Sequence, residues 1–212
     1  MAQLVIFIHG IGSSNEVWNS FIETKKIDNE TKSFIEYKNN ITNPEKGKFY
    51  YYLYEYKSEK LKINWLKKIY LEKIEGIKTA DTLSIKNHKN TFSTFIENIS
   101  VKFSSIHIIA HSMGGIIGLH SIFEFIQSNN SVKNKISNFL LYGSPLKGSN
   151  DPKYLENIIS SKNTSEILKE LKPDSLNITS LLQLIEKHKI ELKNNYKITF
   201  IAGDADSRII EI

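Results

Sequence analysis

The segment around Ser112 has the residue types and spacing of a serine nucleophile. The apolar run Ile106–Ala110 predicts a buried strand, and Met113–Gln127 predicts the helix that follows it. Ala110 and Gly114 stand two positions before and after the serine, and small residues are needed there because the chain turns sharply from strand to helix. Such a turn exposes the hydroxyl beside the positive end of the helix, which favours acyl transfer. A serine that only caps the helix is the alternative.

A second segment has the composition of an oxyanion hole, and it follows the apolar run Leu4–Ile8, which predicts a strand buried on both faces. The segment consists of His9, Gly10, Ile11 and Gly12. Hydrolysis of an acyl bond needs two backbone N–H groups that point at the tetrahedral oxyanion. Met113, the residue after the serine, is expected to supply one of them and Ile11 the other. His9 is expected to hold the loop, and the glycines let it approach the substrate.

A carboxylate that orients a catalytic histidine is predicted at the end of the chain. Such a group belongs on a loop at the carboxyl end of a strand. Gly203-Asp-Ala-Asp206 directly follows the predicted strand Ile198–Ala202. Asp206 fits the spacing, Asp204 is the second candidate, and an ordinary Asp-rich turn is the alternative.

The histidine itself is the missing member of the set, because in this chain order it should follow the acid and no histidine follows Asp206. The six histidines present are His9, His88, His107, His111, His120 and His188. None of them is favoured as the base, although His88 and His188 are the least unfavourable. We therefore expect a chain truncated at its C-terminus, with the last strand and the histidine downstream. The alternative is a non-catalytic binding or effector module of a larger protein.

The elements that must position these residues alternate between strands and helices. Further strands are predicted at Phe49–Tyr56 and Phe139–Tyr142, and a further helix by the spacing of apolar residues from Phe92 to Ile99. This alternation predicts a three-layer α/β/α sandwich with a mostly parallel sheet. We expect one domain over residues 1–212, in which residues 144–196 form a cap-like helical insertion.

The motifs together resemble those of α/β-hydrolase lipases and esterases. The resemblance rests on His9–Ser14 and Ala110–Gly115, and Tyr142–Ser149 is similar to a segment that follows the next strand in lipases. Leu168–Ser175 with Leu181–Leu184 is similar to a segment of the SERAC1-like and PGAP1-like serine lipase families. The resemblance implies hydrolysis of carboxylic, lipid-like esters without a cofactor. No metal is expected, because no cluster of His, Asp and Glu shows the spacing of metal ligands. It also implies fusion to downstream domains in a larger protein.

Composition narrows the class of protein further. Hydrophobic residues make up 40% and charged residues 24% of the 212 residues, as is ordinary for a globular domain, and there is no cysteine. The net charge of +5 permits contact with an anionic membrane surface, while nothing resembles a nucleic-acid module. No signal peptide and no apolar stretch of about 18 residues is present, so a cytoplasmic protein is expected.

Overall fold

A computed structural model describes residues 1–11, 13–27, 34–38, 41–56, 84–150 and 166–201 of the chain. The strands are β1 (Gln3–Ile8), β2 (Phe34–Glu36), β3 (Phe49–Tyr54), β4 (Ser105–His111), β5 (Ile136–Tyr142) and β6 (Lys197–Ile201). The helices are α1 (Asn19–Ile27), α2 (Ile85–Ser100), α3 (Met113–Gln127), α4 (Glu166–Glu170), α5 (Leu176–Lys187) and α6 (Lys189–Asn195). Short 3-10 turns cover Asn15–Trp18 and Ser131–Asn134.

The described strands form one parallel sheet in the order β2-β3-β1-β4-β5-β6. Strands β1 and β4 are neighbours, with Ile8 opposite Ala110. Because parallel strands end at the same edge of a sheet, the segments that follow β1 and β4 lie side by side there. This register brings the two predicted motifs together, although about 100 residues separate them along the chain.

Helices cover both faces of the sheet, which gives the predicted three layers. Alternate residues of β1, including Leu4 and Ile6, enter a large core with α2, α3 and α5. Phe7 points to the other face and packs with Trp18 and Ile22 from the region of α1. The fold class expected from the sequence, an α/β/α sandwich on a parallel sheet, is confirmed.

Helix α3 has the bounds that the apolar pattern predicts, whereas several other elements differ from the prediction. Strand β3 ends at Tyr54, two residues earlier than expected, and the short edge strand β2 lies in a stretch whose polar sequence gave no strand pattern. The apolar stripe from Leu181 to Leu192 is divided between α5 and α6, because the chain leaves the helical conformation at His188.

The described part of the predicted insertion packs on the main core. Helix α5 places Ile178, Leu181 and Ile185 against the apolar cluster that contains α3. Residues 151–165 of that segment lie outside the described residues. In the part of the chain that the structure describes, no helix combines the length and the apolar composition needed to cross a membrane.

Candidate active site

Ser112 occupies the junction between β4 and α3 in a backbone conformation that L-residues rarely adopt. Its φ is 52° and its ψ is −126°. Such a conformation costs about 1–3 kcal/mol and persists only where the surrounding structure imposes it. The Ser112 N–H donates to the Tyr142 carbonyl oxygen at 2.9 Å, and the Ser112 carbonyl oxygen accepts from the Gly115 N–H at 3.0 Å. These two bonds tie the turn to β5 and to the first turn of α3.

The Ser112 side chain does not cap α3. No hydrogen bond joins its hydroxyl to the N–H groups of this helix, all of which the structure describes. The side chains of Ser84 and Ser175, in contrast, accept from the N–H groups of Asn87 and Ile178 at the starts of α2 and α5. The geometry thus disfavours the alternative in which Ser112 is only a helix cap.

The loop after β1 packs directly against this turn. A Cβ atom added to Gly10 would lie 2.9 Å from the Cβ of Ser112, and one added to Gly114 would lie 2.6 Å from the His9 carbonyl oxygen. Both distances are shorter than carbon–carbon or carbon–oxygen contact allows, so glycine is required at both positions for the close approach. The structure therefore brings together four of the residues predicted from the sequence.

His9 is buried inside the site and holds the loop through its ring. The His9 Nδ1 atom lies 2.8 Å from the Gly10 carbonyl oxygen, which can only accept, so Nδ1 carries the hydrogen. The ring stacks on Tyr56 with centroids 4.3 Å apart and planes 12° apart. Burial lowers the pKa of His9, against the opposing effects of the Gly10 and Tyr56 backbone hydrogen bonds and the Glu55 charge. The neutral ring is therefore favoured, as its position inside the loop requires.

His111 lies between the loop and β5. A Cβ atom added to Gly10 would lie 2.9 Å from the His111 Nδ1 atom, and the ring centroid lies 5.7 Å from that of Tyr142. Nδ1 is buried and has no hydrogen-bond partner among the described residues. Burial first, and then the proximity of His9, lower the pKa of His111. The neutral form of His111 is thus favoured, first by burial and then by its proximity to His9.

The two backbone N–H groups predicted to form the oxyanion hole belong to Met113 and Ile11. Met113 is the first residue of α3, and the N–H groups of the first helical turn have no carbonyl partner within the helix. Ile11 is buried beside the turn, two residues after His9. The carbonyl of the intervening Gly10 also accepts from the Ser13 N–H at 3.3 Å, so the loop closes on itself around this carbonyl.

The other histidines lie farther from Ser112 along their elements or belong to other contacts. His107 is near the start of β4, about 16 Å of strand from the serine. His120 lies about 12 Å along α3, where burial lowers its pKa to about 4. His188 lies beside Glu191 and Phe123. His88, on α2, contacts Tyr56 with ring centroids 4.9 Å apart, so it lies one residue removed from His9.

Three residues of the predicted site, Gly12, Asp204 and Asp206, lie outside the described residues. Their roles stay predictions. Tyr56 was missed by the sequence analysis, which placed it inside a strand. Its hydroxyl donates to the His9 carbonyl oxygen at 2.9 Å, from a ring that is 3% exposed. The only signal that the sequence offers for this contact is the position of Tyr56 at the end of a predicted strand that is rich in tyrosine.

A parallel sheet between helical layers, with a strained serine between strand and helix, is typical of the α/β-hydrolase class. The chain belongs to the family described as an alpha/beta hydrolase of unknown function (DUF900), which it matches over residues 1–183. The resemblance to the α/β hydrolases is thereby confirmed, while the narrower likeness to SERAC1-like and PGAP1-like lipases stays a prediction. No curated protein sequence matches the chain.

Solved structures share the fold at low sequence identity. Phospholipase PlaB from Legionella pneumophila superposes with a TM-score of 0.62 at 18% identity, over 97% of this chain and 40% of its own. The lin2722 gene product from Listeria innocua gives 0.50 at 10%, over 96% of this chain and 86% of its own. The mature Bacillus licheniformis lipase BlEst2 gives 0.49 at 14%, over 92% and 63%. The chain thus spans 40% of the length of the PlaB chain.

Proposed function

We propose that this chain is a serine hydrolase that cleaves carboxylic esters through an acyl-enzyme on Ser112. The observation that carries the proposal is the backbone of Ser112, whose φ of 52° is maintained between β4 and α3 without a capping bond. A serine in a strained backbone between strand and helix, whose side chain does not cap that helix, is typical of a nucleophile.

The mechanism follows the acyl-transfer pattern. The Ser112 Oγ attacks the ester carbonyl carbon, its proton passes to a histidine, and the carbonyl π electrons move to the oxygen. The N–H groups of Met113 and Ile11 stabilise this oxyanion. When the tetrahedral intermediate collapses, the histidine gives the proton to the leaving alkoxide. Water then attacks the acyl-enzyme in the same way and regenerates Ser112. Asp206 is the proposed carboxylate partner of the histidine.

The substrate class we favour is a lipid-like ester. Support comes from the similarity of fold to a phospholipase. The net charge of +5 would assist contact with an anionic membrane surface. Fold similarity leaves the chemistry to the site, so the acyl length and head group are matters for the substrate assay.

Covalent labelling by a fluorophosphonate probe tests the proposal. The probe reacts only with an activated serine. We expect a protein that contains this chain together with its catalytic histidine to be labelled, and its Ser112→Ala variant to be unlabelled. Ser121→Ala is the matched control, because Ser121 is fully buried in α3 and donates to the Ile117 carbonyl oxygen at 3.0 Å. It should be labelled as the wild type is. Absence of labelling in the wild-type form of that protein would contradict a hydrolase and favour a ligand-binding module.

A panel of p-nitrophenyl esters with acyl chains of increasing length tests the substrate class. We expect kcat/KM to rise from short to long acyl chains, because each buried methylene adds about 0.8 kcal/mol of transfer free energy. A maximum at the acetyl ester would retain the serine hydrolase and reject the lipid-like substrate.

A further inference from the structure

An aromatic cluster lies beneath the proposed oxyanion loop and takes no part in the chemistry described above. We call it the histidine–tyrosine stack, and it consists of His9, Tyr56 and His88. Tyr56 follows β3 and lies between the other two, with ring centroids 4.3 Å from His9 and 4.9 Å from His88. All three side chains are buried, with exposures of 0% for His9, 3% for Tyr56 and 4% for His88. Such complete burial of three polar rings calls for a reason.

The orientation of the Ile11 N–H depends on the carbonyl of Gly10. A peptide bond is planar and trans, so the N–H of one residue points opposite to the carbonyl of the residue before it. The Gly10 carbonyl is held by the His9 Nδ1–H at 2.8 Å and by the Ser13 N–H at 3.3 Å. As long as His9 keeps this position, the Ile11 N–H is directed away from the His9 ring and cannot rotate freely.

Tyr56 in turn fixes His9 at both of its ends. The Tyr56 hydroxyl donates to the His9 carbonyl oxygen at 2.9 Å, and the Tyr56 ring stacks on the imidazole. The same carbonyl faces Gly114 of α3, where an added Cβ would lie 2.6 Å away. The His9–Gly10 peptide is thereby confined between Tyr56, which follows β3, and helix α3.

We propose that Tyr56 is a positioning residue, which acts through His9 to set the direction of the Ile11 N–H in the oxyanion hole. This inference rests on the proposed hydrolase function, since it assigns a role within that site. Tyr56 touches no reacting atom. Its effect belongs to the transition state, because an N–H aimed at the tetrahedral oxyanion stabilises that species more than the planar ester.

The neighbouring Tyr54 provides a matched control. It ends β3, it is 5% exposed, and its hydroxyl has no hydrogen-bond partner within the described residues. Tyr56→Phe and Tyr54→Phe each remove one buried hydroxyl from the same part of the chain and leave the ring in place. Only Tyr56→Phe removes a hydrogen bond to the loop, so any difference between the two variants reports on that bond.

The test compares kcat and KM of both variants on a p-nitrophenyl ester and on the corresponding thionoester. Removing an oxyanion-hole donor lowers kcat by about 100- to 1,000-fold, so loosening one is expected to lower it by about 10- to 100-fold. We expect this loss for Tyr56→Phe on the ester, with KM changed less than about twofold. Sulfur accepts hydrogen bonds weakly, so the loss on the thionoester should be much smaller. Tyr54→Phe should match the wild type on both substrates.

Three results would overturn the inference: equal effects of the two variants, a change confined to KM, or an equal loss on ester and thionoester. If the wild-type protein, tested with its catalytic histidine present, hydrolyses no ester, the proposed function fails, and a separate measurement decides the positioning role. In that case the Ile11 amide resonance, assigned through Ile11→Val, should move in Tyr56→Phe and stay in place in Tyr54→Phe. An unmoved Ile11 resonance in Tyr56→Phe would reject the positioning role as well.

Discussion

A serine and a histidine stand at each end of strand β4. Their hydrogen bonding and backbone conformation differ between the two ends. At the start, the His107 ring is surrounded by complementary groups. Its Nε2 lies 3.0 Å from the Gln3 Oε1, and its Nδ1 lies 2.6 Å from the Asn138 Nδ2. The neutral ring with hydrogen on Nε2 satisfies both contacts, since the amide nitrogen donates and the amide oxygen accepts. The backbone there is strand without a positive φ, although its register with β5 shifts between Ile106 and His107.

At the other end of β4, the backbone is strained and a buried polar atom lacks a partner among the described residues. Ser112 has a left-handed φ, and the His111 Nδ1 is buried without a hydrogen-bond partner among the described residues. The loop after β1 approaches so closely that only glycine fits at position 10. Similar residue types therefore form a satisfied polar cluster at one end and a strained turn at the other. Strain and unmet polar groups, rather than the residue types, distinguish the candidate site.

The largest expected effect is the loss of hydrolysis in Ser112→Ala. Removing a nucleophile of this kind costs about 10⁴-fold or more in kcat, because the remaining site can only orient water. Ser105→Ala, at the opposite end of the strand, should leave the rate within about twofold of the wild type, as expected for a surface change. Steady-state hydrolysis of an activated ester measures both. Equal losses in the two variants would erase the distinction between the ends.

The next largest effect concerns the packing of the loop after β1 against the turn at Ser112. An added Cβ on Gly114 would meet the His9 carbonyl oxygen at 2.6 Å and the Ile8 carbonyl oxygen at 3.0 Å, and backbone atoms cannot move aside cheaply. We expect Gly114→Ala to lower the free energy of unfolding by about 3 kcal/mol. Gly118→Ala meets only side-chain atoms, the nearest being the Phe139 Cζ at 2.7 Å, and should cost less. Urea unfolding curves decide the order, and the reverse order would refute the close approach.

A third prediction concerns stability at low pH and extends the comparison to helix α3, which follows Ser112. Burial lowers the pKa of His120 from 6.5 to about 4. The unfolded chain binds this proton more readily than the folded chain does. The contribution of neutral His120 to the free energy of unfolding is therefore fully present above pH 6.5 and falls as the pH drops toward 4. The loss from this group should reach about 2 kcal/mol between pH 7 and pH 5. His120→Gln should remove that part of the slope, as measured by urea unfolding at both values; an unchanged slope would contradict it.

The smallest effect is the difference in stability between a glycine and an alanine variant, which should have opposite signs at the two ends of β4. Glycine adopts a positive φ without strain, so Ser112→Gly should be more stable than Ser112→Ala by about 1 kcal/mol. At Ser105, in strand β4, the order should reverse, and Ser105→Gly should be less stable than Ser105→Ala by about 0.5–1 kcal/mol. Thermal unfolding of the four variants measures both differences. The same order at both ends would mean that Ser112 carries no backbone strain.

The sequence predicted well those features that depend on local pattern. The bounds of α3 agree with prediction because a nearly continuous apolar run between Met113 and Gln127 can only be a buried helix. Strands β1 and β4 were found because most of their residues are apolar, as is usual for strands of a parallel sheet covered by helices. Strand β2, at the sheet edge, was missed because Phe34–Glu36 is too short to show a period. Register and edge position arise from pairing with distant residues.

What the sequence determined by itself about this protein is the fold class and the candidate nucleophile: a serine between small residues, at the junction of an apolar strand and an apolar helix, is a local pattern with a local cause. Tertiary structure alone decided which groups surround that serine. The contacts of Gly10 with Ser112, and of Tyr56 with His9, join residues that are 102 and 47 positions apart. No periodicity encodes such contacts, because the order of strands in the sheet creates them.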